Sequence, residues 1–71
     1  MTESEAVALA SAAGDGDPRT GLRAVAALRK LADQLERSQV RSAREKGWSW
    51  AQIATELGVT RQAAFKKHHG G

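Results

Sequence analysis

Apolar residues recur at every third or fourth position from Leu22 to Leu35, at Leu22, Val25, Leu28, Leu31 and Leu35. That spacing aligns them in one stripe along an α-helix. Asp17 stands where an N-cap belongs, and Pro18 takes the first helical position, where its missing N–H costs nothing. Gly47 is the next residue suited to end the helix. A helix from Pro18 to Lys46 would be roughly 44 Å long at 1.5 Å per residue. After Leu35 the stripe thins. Val40 and Ala43 continue it, but Arg37, Arg41 and Arg44 are interleaved. The helix therefore has two jobs, with a break or a change of packing partner near Ser38. Upstream, GDGDP at 14–18 reads as a linker. Before it, Thr2 and Glu5 have capping-box spacing, and Gly14 closes a short alanine-rich helix with a weak apolar face.

Past Gly47 the signals crowd together in WSWAQIATELGVTRQAAFKKHH, residues 48–69. Ser49 and Gln52 form a second capping box, so a helix starts at Trp50. Trp48 and Ile53 hold the two positions of a hydrophobic staple around that box. Trp50 lies on another side, either packed on the long helix or half exposed. Ile53, Ala54 and Leu57 share the buried face. Gly58 supplies a left-handed turn, Val59 returns to the core, and Thr60 caps a last helix beginning at Arg61. β-Branched residues never cluster, and helix formers dominate. The prediction is an all-α fold, a small helical domain with a long central helix and a C-terminal tri-helical helix-turn-helix. Its parts are a short helix and linker (1–16), an amphipathic helix (17–37), the helix-turn-helix unit (38–69) and a tail (70–71).

Composition adds limits. Seventy-one residues make one small domain with a thin core. No cysteine is present to staple it, so helix packing and self-association remain. The stripe of Leu22, Val25, Leu28, Leu31 and Leu35 either covers the first helix or pairs with a second copy. Weight falls on a homodimer. Glu3 and Glu5 occupy the place of a signal peptide's basic region, and no apolar run approaches the roughly 20 residues of a membrane span. These features point to a soluble cytoplasmic protein with no membrane partner.

Charge changes the picture further. Residues 1–36 sum to −2 and residues 37–71 to +5. A basic C-terminal half suits a polyanion, although a solvated basic helix surface accounts for it equally well. Residues 43–68 resemble the helix-turn-helix of bacterial transcription regulators. They are especially similar to that of sigma-factor region four and of small actinobacterial helix-turn-helix proteins. The residues carrying the resemblance are Gly47, Ser49, Ile53, Ala54, Leu57, Gly58, Val59, Thr60 and Arg61, in roughly the last third of the chain. Three positions depart from the pattern. Ala64 replaces a branched aliphatic, Phe65 replaces a polar residue, and Gln52 replaces a common glutamate. Ala64 weakens the anchor of the last helix. Phe65 either turns inward to fill that gap or stays on the exposed face.

The resemblance implies double-stranded DNA as partner, with the last helix (60–68) in the major groove. Arg61 and Gln62 would then read bases, arginine suiting guanine and glutamine adenine. Phe65 and Lys66 follow one turn later as further base contacts. Thr60, Lys67, Gln52, Arg44 and Lys46 are the candidates for phosphate. His68 and His69 make a poor metal site, since neighbours on a helix point about 100° apart. A mildly basic disordered tail is the better expectation there, with no metal and no cofactor. Without cysteine, tyrosine, a phosphate-binding glycine loop or paired carboxylates in a cleft, an enzyme is not expected. Two other functions compete with a sequence-specific, homodimeric regulator. One is a protein-interaction adaptor of the transcription machinery using the leucine stripe, and the other is a non-specific nucleoid-type DNA binder.

Overall fold

In the computed structural model, which describes residues 2–14 and 16–70, the chain is all-α. Its helices are α1 (Glu3–Ala13), α2 (Pro18–Glu45), α3 (Trp50–Leu57) and α4 (Arg61–His68). The chain divides into two compact units, Met1–Leu35 and Glu36–Gly71, and α2 contributes residues to both.

In the N-terminal unit, both local capping expectations are met. The Thr2 hydroxyl accepts from the Glu5 N–H at 3.2 Å, and the Glu5 carboxylate accepts from the Thr2 N–H at 3.3 Å. Asp17 caps α2, its carboxylate accepting from the Arg19 N–H at 3.0 Å. Gly14 ends α1 differently from the expectation. Its φ is −90°, and its N–H bonds to the Ser11 carbonyl at 3.1 Å, so α1 closes by tightening its last turn. No residue of α1 is buried, as its weak apolar face implied. On α2 the stripe is unevenly covered. Leu22 is 68% exposed and Leu35 is exposed too, whereas Val25, Leu28 and Leu31 are half-buried. Ala24 is buried.

Of the two alternatives near Ser38, the break is absent, because α2 is helical without interruption from Pro18 to Glu45, and the division between the two units at Leu35–Glu36 fits the change of packing partner. No glycine or proline lies between Leu22 and Glu45 to interrupt the hydrogen-bond ladder.

In the C-terminal unit, α2 ends in a turn at Gly47 with φ 86°. The Gly47 N–H bonds to the Arg44 carbonyl at 3.0 Å, and the Trp48 N–H to the Ala43 carbonyl at 3.0 Å. α3 ends the same way. Gly58 has φ 73°, its N–H reaches the Thr55 carbonyl at 3.3 Å, and the Val59 N–H reaches the Ala54 carbonyl at 3.1 Å. Both are Schellman motifs, which need a residue free to adopt positive φ. A cap follows each glycine by two residues. Ser49 and Gln52 complete a capping box at 3.1 and 2.8 Å, and Thr60 accepts from the Ala63 N–H at 3.1 Å. Two helices of eight residues joined through residues 58–60 make the helix-turn-helix.

The core of this unit is Val40, Ile53, Ala54 and Ala64. It is smaller than the sequence pattern suggested. Leu57 is 37% exposed and Val59 is 47% exposed, so neither is the core residue it was expected to be. Two of the four buried side chains are alanines, and so few small groups offer too little surface to cover another leucine and valine.

Candidate nucleic-acid interface

α4 has the sequence RQAAFKKH, with no carboxylate. Ala64 is its sole buried residue, at 2% exposure. The small side chain at this position is thus enclosed in the core. Arg61, Gln62, Phe65, Lys66 and Lys67 are all exposed. Basic side chains crowd the last turn of α4, where the carbonyl ends of the helix favour positive charge.

Phe65 takes the second of its two expected places and stays on the exposed face. Its ring meets Trp50 edge-on, with centroids 5.5 Å apart at 90°, and stacks on His69 at 4.2 Å and 21°. It remains 38% exposed, as the middle of an aromatic row. The Arg44 guanidinium lies over the Trp50 ring, 4.8 Å from its centroid. Arg44 also donates to the Trp48 carbonyl at 2.7 Å, tying the end of α2 to the start of α3. Trp48 and Ile53, the expected staple, line one apolar groove with Val40, Ala43 and Leu57, a cavity of about 220 Å³.

The far end of α4 is held by Glu36. One carboxylate oxygen, Oε2, lies 2.9 Å from Lys67 Nζ and 2.6 Å from His68 Nε2. An ionised carboxylate only accepts, so Nε2 carries the hydrogen. The His68 side chain is 5% exposed. His68 is therefore no part of a disordered tail. It is the last residue of α4 and one half of the tie between α4 and α2. The Lys67 hydrogen bond holds the Glu36 carboxyl below its usual range, burial opposes this, and the His68 hydrogen bond assists.

The five predicted phosphate contacts thus have unequal freedom. Lys46 is exposed. Lys67 is shared with Glu36. Arg44 is engaged at the Trp50 ring and the Trp48 carbonyl. The Gln52 side-chain oxygen is committed to the capping box, which leaves its NH₂ donors out of that bond. Thr60 serves as the cap of α4. Among the base-reading candidates, Arg61, Gln62 and Lys66 share one short exposed helix, whereas Phe65 belongs to the aromatic row.

Sequence reasoning missed the Glu36–Lys67–His68 cluster, whose partners lie more than 30 residues apart. The one available signal was Glu36 itself, the last acidic residue before the basic half. The described residues contain no group of three or more His, Cys, Asp or Glu placed to hold a metal ion. No described helix is long and apolar enough to cross a membrane. Comparison of the chain with protein-family models, curated proteins and solved structures found no match.

Proposed function

We propose that this protein is a sequence-specific DNA-binding transcriptional regulator that inserts α4 into the major groove. The observation that carries this reading is α4 itself. It follows a short glycine turn, buries Ala64 in the core, and offers Arg61, Gln62 and Lys66 on an exposed, acid-free surface. Arginine and glutamine near the start of such a helix suit the acceptor and donor patterns of guanine and adenine. Thr60, Lys46 and the Gln52 amide add phosphate contacts that fix register. The regulator acts as a homodimer through Leu22, Val25, Leu28, Leu31 and Leu35, because the exposure of Leu22 and Leu35 leaves apolar surface to cover. Two-fold pairing places the half-sites about 34 Å apart, or a multiple of that.

An adaptor is the second reading, favoured by the apolar groove of Val40, Ala43, Trp48, Ile53 and Leu57.

Binding selection from a randomised duplex library, with Arg61→Ala alongside, tests the first reading. The wild type yields an enriched motif, and the variant loses preference at one or two positions. A motif unchanged by Arg61→Ala would remove Arg61 from base reading. Absence of any motif would overturn the regulator.

A further inference from the structure

Ala64 and the His68 side chain turn inward, and the other residues of α4 are exposed. Successive residues of an α-helix point about 100° apart. Opposite the midpoint of Ala64 and His68, the outward direction of α4 runs through Lys66, with Gln62 about 40° to one side and Ala63 about 60° to the other. Phe65 and Lys67 stand on the flanks, each about 100° from that direction. Ala63 therefore shares the outward face with Gln62 and Lys66, and its methyl is the shortest side chain there. Helical side chains lean back over the preceding turn, which makes Lys66 and Lys67 its nearest cover. Lys67 is held by Glu36 at 2.9 Å, and Ala63 is exposed.

Ala63 is also the third residue of α4. The third residues of α1 and α3 are Glu5 and Gln52, and each reaches back to the N–H of its cap. α4 has a cap of the same kind, since the Thr60 hydroxyl accepts from the Ala63 N–H at 3.1 Å. The long side chain that completes the cap in α1 and α3 is replaced by a methyl in the helix that carries the outward face.

We infer that Ala63 is a specificity-determining residue whose methyl contacts the 5-methyl group of a thymine in the major groove. The inference rests on the proposed DNA-binding reading and adds an apolar contact to its hydrogen bonds. Among the four bases only thymine presents a methyl in that groove, and a small apolar side chain suits it. A short side chain also lets the helix seat. An α-helix with its side chains is about 10–12 Å across, and the groove is about 12 Å wide. A glutamine or glutamate at 63 would hold α4 off the base edges. The neighbouring Gln62 suits adenine, whose partner is thymine, so the two side chains can address one A·T pair.

The test removes one methyl at a time. In the duplex selected by the wild type, each thymine is replaced in turn by uracil, which lacks only the 5-methyl. Affinity for each duplex is titrated with wild type, Ala63→Gly and Ala63→Gln. One replacement should weaken wild-type binding about four-fold, the effect of uncovering one methyl-sized group. With Ala63→Gly the same replacement should cost almost nothing. Comparing two duplexes within one variant cancels any loss of helix stability that glycine brings. Ala63→Gln can close a capping box on Thr60, as Gln52 does on Ser49, so its melting temperature should not fall below that of the wild type. Its affinity for the selected duplex should fall all the same, and its response to uracil should vanish. A uracil effect of equal size in wild type and Ala63→Gly would give the methyl contact to another side chain and overturn the inference. Wild-type affinity and uracil response in Ala63→Gln would overturn it too. So would a selected motif that lacks thymine, or one indifferent to uracil at every position. Each of these leaves the DNA-binding reading standing, whereas no motif from the wild type would overturn both.

Discussion

α3 and α4 begin as near copies. Each is eight residues long, and each follows a left-handed glycine, an apolar residue and a hydroxyl cap. They are then held in opposite ways. α3 is anchored along its body by Ile53 and Ala54, and locked at its start by a reciprocal capping box. α4 buries one alanine and has Ala63 where a capping box needs a glutamate or glutamine. It is fastened at its two ends, by the Gly58–Thr60 turn and by Glu36. The difference teaches how a 36-residue unit keeps a helix in place while leaving most of it uncovered. Side chains needed elsewhere are not spent on packing.

Substitutions can break this contrast. Ile53→Ala removes the largest anchor of α3, at 3% exposure, and should cost about 2–5 kcal/mol in chemical denaturation. A loss under about 1 kcal/mol would mean that α3, too, is held mainly by its ends. The glycine turns come next. A Cβ on either Gly47 or Gly58 meets no atom within 4 Å, so the penalty for Gly47→Ala or Gly58→Ala is backbone strain alone. Each should cost about 1–2 kcal/mol of stability. If the turn at Gly58 is one of only two fastenings on α4, Gly58→Ala should also blunt amide-exchange protection in α4 more than Gly47→Ala does in α3.

The smallest effect concerns Glu36. Its carboxyl is held below the ordinary range, so the folded form binds its proton less readily than the unfolded chain. The resulting stability is present above the usual glutamate pKa of about 4.3, and is lost as pH falls through the folded-state value. Glu36→Gln should therefore flatten the fall in melting temperature between roughly pH 5 and pH 2. An unchanged acid limb would place the fastening of α4 elsewhere.

How much of this could be read from the chain depends on range. Caps and turns are interactions over three to five residues, and each is written in one residue type. Thr2, Asp17, Ser49, Gln52, Gly58 and Thr60 therefore all occupy their expected roles. The all-α class followed from the same local preferences. Burial was less legible, because it depends on what is available to cover a side chain. Leu57 and Val59 fit a core pattern, yet the unit lacks the atoms to enclose them. The site was legible in outline and not in its wiring. An exposed, acid-free α4 could be read from residues 61–68. The row of Arg44, Trp50, Phe65 and His69 could not, nor the tie from Glu36 to His68, since no periodicity connects residues that far apart.

The sharing of Glu36 between Lys67 and His68 also couples two equilibria. The Lys67 hydrogen bond is the largest influence keeping the Glu36 carboxyl deprotonated. A ligand that draws Lys67 away therefore raises the proton affinity of Glu36. By reciprocity, a proton arriving on Glu36 loosens Lys67 and raises its affinity for that ligand by the same factor. The carboxylate that fastens α4 thus also competes with any anion for Lys67.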